Sequence, residues 1–268
     1  MVRNACYLYG RMVGIAIRGQ MQYRWSFLLQ TLGHLSATGI EFLGLWALFA
    51  RFTSISGWRL SQVALLYGMV NVAFALAEAT SRGFDDFGRT VRQGDFDRVL
   101  LRPRSTVLQL AGQDFVLRRA GRFAQGLVVL CWAASTIGLA FAPWKIALLA
   151  FAILGGCCFF YGLLVLQATT AFWTTESLEV FNAFTYGGVF SAQYPITIYP
   201  GWLRRLLTAV IPLAAVNYFP AMALLGRSDP LGTSFLFQCL SPLLGVTFLL
   251  VALQIWRLGV RHYCSTGS

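Results

Sequence analysis

"LRRLLTAVIPLAAVNYFPAMALL", Leu203 to Leu225, is long and apolar enough to cross a membrane. A crossing helix needs roughly 20 apolar residues. Yet Pro212 and Pro220 interrupt the run, with Asn217 between them. Each proline removes a backbone N–H and clashes with the preceding turn, and lipid offers the freed carbonyls no partner. The run therefore reads as a re-entrant hairpin buried in protein. Its neighbour, Glu179 to Tyr199, is moderately apolar, with Gly187 and Gly188 in its middle. If both segments cross, the chain has seven spans and its termini lie on opposite sides. If one crosses, it has six and the termini share a side.

The rest of the sequence sets this choice in an all-α polytopic membrane protein. Hydrophobic residues make up 57% of the 268 residues and charged ones 12%, too few charges to cover a soluble surface of this size. Predicted spans are Trp25 to Phe49, Leu60 to Thr80, Phe123 to Ala142, Lys145 to Trp173 and Phe235 to Trp256. Trp25, Trp58, Trp144 and Trp202 fall near span ends, as an interfacial aromatic belt requires. A transport cavity for flat or cationic compounds would also use aromatic residues. No internal repeat or linker divides the chain.

Arginine placement favours six spans. Arg3, Arg11, Arg18 and Arg24 precede the first span. Nine more lie between Arg82 and Arg122, and Arg257 and Arg261 follow the last span. With six spans these fifteen of the 21 basic residues share one side, which the positive-inside rule makes cytoplasmic. A hairpin at Leu203–Leu225 puts Arg204 and Arg205 on the outer side, against that rule. Making Glu179–Tyr199 the segment that fails to cross would bring them inside.

The net charge of +11 is almost wholly arginine, Lys145 being the one lysine. It orients spans, and no soluble basic domain exists to bind nucleic acid. The first 25 residues mix arginines into their apolar run and do not read as a cleaved leader. The six cysteines show no CxxC and no histidine at zinc spacing, so neither disulfide nor metal is expected. A phosphate-binding P-loop needs a lysine after a glycine-rich turn, and Lys145 follows "FAPW". No HExxH or GxSxG appears, so an integral membrane enzyme acting on lipid is poorly supported. A passive channel is the other alternative.

Polar residues inside spans are the candidates for a substrate path. Glu41 lies in the middle of the first span and Glu78 near the end of the second. A carboxylate at membrane depth faces protein or a wet cavity. For Glu41, a substrate or proton contact and a helix-packing role both stand, whereas Glu78, near an interface, reads more as packing. Asn71 and Asn217 join them as path candidates. Interhelical hydrogen bonding explains Asn71, Gln167 and Asn182 adequately.

The loop from Arg82 to Arg122 is too long for a plain connector. Within it, "GDFDRVLLRPRS", Gly94 to Ser105, concentrates charge. A short amphipathic helix is expected, with Gly94 or Asp95 near its start and Asp97 favourable to the helix dipole. Phe96, Val99 and Leu100 form an apolar stripe at i, i+3 and i+4, and Pro103 ends the helix at or before Arg102. Such a helix would either lie on anionic lipid through Arg98, Arg102 and Arg104 or dock into a partner. The two aspartates favour the partner.

"GDFDRVLLRP", the segment Gln193 to Gly226 and the ending "GVRHYCSTGS" together resemble type-2 ABC transporter permeases. The likeness is to a bacterial branch in which two related permeases work with a separate ATPase. It implies a single domain over 1–268, an N-terminal interfacial helix at 1–24, a cytoplasmic coupling loop at 82–122 and an outer re-entrant segment at 201–227. It implies cytoplasmic termini in the bacterial inner membrane, and export. The ATPase would rest on Gly94, Asp95, Phe96, Asp97, Arg98, Val99, Leu100, Leu101, Arg102 and Pro103. ATP and Mg would be bound by that ATPase, present in two copies, and no cofactor by this chain.

Overall fold

The computed structural model describes residues 2–22, 24–113, 120–139, 142–174 and 178–264. Among them every regular element is a helix. α1 (Val2–Met21) is followed by α2 (Arg24–Arg51) and α3 (Leu60–Thr80). Four short helices then form a loop: α4 (Arg82–Asp85), α5 (Phe87–Arg92), α6 (Phe96–Leu100) and α7 (Thr106–Gln113). α8 (Ala120–Ile137), α9 (Pro143–Thr170) and α10 (Leu178–Ala192) return to the bundle. α11 (Gly201–Arg205), α12 (Leu213–Val216) and α13 (Tyr218–Leu225) precede α14 (Phe235–Leu240) and α15 (Leu243–Arg261).

Five helices, α2, α3, α8, α9 and α15, are long and apolar enough to cross a membrane. The chain is a multi-pass membrane protein. α3 is apolar on every face and lies at the centre, 78% of its span buried, whereas α2 is buried over only 11%. α3 packs on α8 and α9, and α9 packs on α15. Glycines set these crossings, because a helix without a side chain lets another backbone approach. A Cβ on Gly68 would sit 2.8 Å from Leu130, and one on Gly155 would sit 2.5 Å from the Pro242 carbonyl. A Cβ on Gly245 would overlap the Gly155 carbonyl outright.

Three predicted spans change shape. The third stops at Ile137 and not Ala142, because Gly138 turns the chain at φ +76°. The last, expected unbroken from Phe235 to Trp256, is split into α14 and α15 by Ser241–Pro242 and runs on to Arg261. Glu179–Tyr199 is helical only to Ala192, and Pro195 leads into a 3-10 turn at Ile196–Ile198. α10 alone rises about 22 Å over its 15 residues. Tyr186 on α10 reaches Glu78 near the end of α3, and Thr197 meets Trp58 just before α3 begins. α10 and the turn after it therefore run alongside α3 for nearly its whole length.

The chain enters and leaves the proline-broken segment at one end of the bundle. Gly201–Val210 and Leu213–Leu225 meet at a 70° bend around Ile211–Pro212. Before it, Thr197 Oγ1 accepts from Trp58 Nε1 at 3.3 Å. After it, Arg227 donates to the Gly57 carbonyl at 2.9 Å and to Gln62 Oε1 at 3.0 Å. Its guanidinium also stacks on Trp58. Trp58, expected in the lipid interface, is instead buried in this junction, while Trp25, Trp144 and Trp202 are exposed. Asn217, at the inner tip, donates to the Ala192 carbonyl at 2.6 Å.

Candidate coupling site

The loop α4–α7 is folded onto the opposite end of the bundle by aromatic rings. Phe84 and Phe87 pack edge-on against Trp256 of α15, with centroids 5.3 and 4.8 Å apart. Phe96 meets Phe87 and Tyr263, each at 5.0 Å, and Phe172 beyond α9 at 5.6 Å. Trp256 Nε1 donates to Thr106 Oγ1 at 3.1 Å. A Cβ on Gly83 would overlap the Leu110 carbonyl, which holds α4 flush on α7. α1 also packs on α7, with Met12 against Gly112.

This cluster corrects the expected stripe. α6 forms as anticipated, but Phe96 is fully buried among the rings above and presents nothing outward. The preceding turn explains why: Gly94 takes φ +71° and rolls α6 so that Phe96 faces the bundle. Val99 is half-buried against the same cluster. Leu101 is 84% exposed, and Leu100, Arg102 and Pro103 are exposed beside it. Asp95 does not cap α6 and instead pairs with Arg98 at 3.3 Å. Gln109 Nε2 donates to the carbonyls of Val99 and Arg104, both at 3.1 Å, and so clamps the exposed turn from behind. Asp97 lies half-buried on α6. The loop arginines 118 and 119 lie outside the described residues, as do residues 265–268 and the side chain of Asn182.

The expected substrate-path residues do not gather in one cavity. Asn71 is buried where α3 meets α8, donating to the Tyr67 carbonyl at 2.9 Å. Asn217 borders a space of about 20 Å³, room for roughly one water. Asn217 ties α10 to the bent segment, whereas the Asn71 amide bonds within its own helix. Glu78 is buried and accepts from Tyr186 at 3.3 Å. Glu41 is half-buried on α2, near enough to Tyr67 to act on it electrostatically. Tyr67 in turn donates to the Thr38 carbonyl at 2.9 Å and accepts from Gln125 Nε2 at 3.2 Å. Arg122 stacks over Phe74 at 5.2 Å. Tyr67, Gln125 and Arg122 are therefore the polar partners that sequence reasoning missed. Gln125 and Arg122, one helical turn apart at the start of α8, carried the signal.

What the geometry describes is a helical membrane protein with a rigid, outward-facing turn at one end of its bundle. A family model for ABC-2 family transporter proteins matches residues 35–267. The chain belongs to that family. It is a type-2 ABC transporter permease, the membrane component of an ABC transporter. Comparison with curated proteins and with solved structures gives no match. The part matched to the ABC-2 family begins within α2 and takes in the loop α4–α7, the bent segment and α15. Only α1 and the first turns of α2 precede it in this permease.

Proposed function

We propose that this permease is the membrane half of an ATP-driven exporter, and that a separate ATPase rests on its Leu100–Pro103 turn. The observation that carries the reading is Leu101, a large apolar side chain 84% exposed on a turn that is otherwise locked to the bundle. Burying a leucine stabilises a complex by roughly 1.5–3 kcal/mol, and the arginines beside it would set register at the rim. Movement of the ATPase would then pass from the turn into α6. From there it would reach the end of α9 through Phe172 and α15 through Trp256.

Charge supports a cytoplasmic position for this end and for both termini. All basic residues near the other end are Arg51, Arg59, Lys145, Arg204, Arg205 and Arg227. Two of the exceptions are held by local carbonyls: Arg204 donates to Thr197 and Tyr199, and Arg227 to Gly57. The exposed apolar length of α2 suits lipid or a second, related permease. ATP and Mg belong to the ATPase, two copies of which would serve the permease pair in the bacterial inner membrane.

Leu101→Asp is expected to lower retention of the co-expressed ATPase about thirtyfold, equivalent to about 2 kcal/mol, with the permease still monodisperse. Arg104→Ala, at the rim, is expected to stay within about fivefold, under ~1 kcal/mol. Quantitative co-purification measures both. Unchanged retention in Leu101→Asp would refute the docking surface.

A further inference from the structure

A groove of about 420 Å³ runs between the start of α7 and the last two turns of α15. Val107, Leu253 and Val260 give it an apolar floor, and Arg257 and Arg261, one helical turn apart, stand over it. Thr106 lines the same space, its hydroxyl accepting from Trp256 Nε1. Among the described residues no carboxylate lines it. Three acids of the neighbouring loop pair within it, Asp85 with Arg82, Asp86 with Arg89 and Asp95 with Arg98. Arg257 shares one donor with the neutral Gln254, at 3.2 Å. Among the described residues neither groove arginine forms an ion pair.

The helix that carries this groove also says what lies beside it. Leu250, Val251 and Leu258 of α15 are half or more exposed, on a helix that crosses the membrane. A face of that composition on a crossing helix suits acyl chains up to the level of the groove. A site at the end of such a helix, with an apolar floor and two cations without carboxylate partners, matches one occupant: a phospholipid whose phosphate is held by arginine and whose chain continues along the helix.

We infer that this groove is a binding site for an anionic phospholipid of the leaflet at the Trp256 end. The guanidinium groups of Arg257 and Arg261 take the phosphate, with the Thr106 hydroxyl as a further donor, and Leu253 and Val260 receive the first methylenes of a chain. Only the naming of that leaflet as cytoplasmic rests on the function proposed above. Because the groove joins α7 to α15, an occupied site also braces the loop α4–α7 beside the aromatic cluster, whose Trp256 lines the groove as well.

The test uses the full chain in mild detergent, delipidated and then supplied with phosphatidylglycerol, phosphatidylcholine or inorganic phosphate. Native mass spectrometry counts retained lipid, and thermal unfolding is followed in parallel. Phosphatidylglycerol is expected to be retained at least tenfold better than phosphatidylcholine and to raise the unfolding temperature. The double variant Arg257→Gln/Arg261→Gln is expected to lose that preference, while Arg98→Gln, exposed elsewhere on the loop, keeps it. Equal retention of phosphatidylglycerol by the wild type and the double variant would overturn the site. Equal stabilisation by inorganic phosphate would replace it with a free-anion site. Loss of ATPase co-purification with lipid retention unchanged would assign the groove to the ATPase.

Discussion

Phe96→Ala is expected to free the coupling loop from the bundle and to abolish ATP-driven transport while the protein still inserts. Phe96 is fully buried, touching Phe87, Phe172 and Tyr263 at once. Truncating a buried phenylalanine costs about 3–5 kcal/mol, because the rings around it cannot close the space. α6 has one and a half turns and no side-chain cap, so it has little stability of its own. The loss falls on the loop and on the ends of α9 and α15 that share its cluster, and leaves α3 and α8, whose packing lies in a separate one. Hydrogen exchange in residues 96–101 should quicken by about two orders of magnitude, the ratio that about 3 kcal/mol implies. Exchange within α3 should not change. Phe96→Leu should recover part of the protection by refilling the space. Exchange unaltered in Phe96→Ala would show that the cluster does not hold the loop.

Gly245→Ala is expected to be the most damaging single methyl in the chain. The added Cβ overlaps the carbonyl oxygen of Gly155, and backbone cannot rotate away as a side chain can. α9 and α15 approach again at Gly162, against Phe248, and at Gly259, against Phe172 and Thr169. Separating the helices at Gly245 therefore loosens contacts along both. Overpacking usually costs about 1–3 kcal/mol, and a clash with backbone belongs at or above the top of that range. Gly187→Ala is the control, since nothing lies within 4 Å of its added methyl. Helix propensity favours alanine over glycine by about 1 kcal/mol at both sites, so packing alone would set them apart. Monodisperse protein recovered in mild detergent should drop several-fold for Gly245→Ala and hold for Gly187→Ala. Equal recovery would mean that the two helices are not this close.

The sequence was informative where physics leaves one solution. Twenty apolar residues without a break must cross, so α2, α3 and α9 were found within a few residues of their ends. Pro212 located the 70° bend, because a proline inside lipid has no other use for its lost N–H. Pro242 carried the same signal and was passed over, since α14 and α15 look continuous in hydropathy alone. What hydropathy does not carry is direction. α2 and α3 are both apolar enough to cross, yet one faces outward and the other inward, because a leucine suits lipid and protein alike. Phe96 shows the same limit at the candidate site. Its spacing with Val99 and Leu100 defined a stripe, but the choice of which way the stripe faces came from Gly94 and from rings 76 to 167 residues distant, Phe172 and Tyr263. Arg122 was read as the end of the loop and Gln125 fell unremarked inside a predicted span, and they became polar partners only when α8 met Tyr67 and Phe74.

The measurement closest to the proposed coupling mechanism is covalent capture at the exposed turn. Leu101→Cys and Ser228→Cys, in a background without other cysteines, place one thiol at each end of the bundle, both at exposed positions. A short maleimide–succinimidyl ester cross-linker, which joins that thiol to a lysine amine, is applied to membranes that contain the permease and its ATPase. Capture of the ATPase by Leu101→Cys and none by Ser228→Cys is the expected result. Capture by Ser228→Cys, with none by Leu101→Cys, would place the ATPase at the wrong end of the bundle and contradict the assignment.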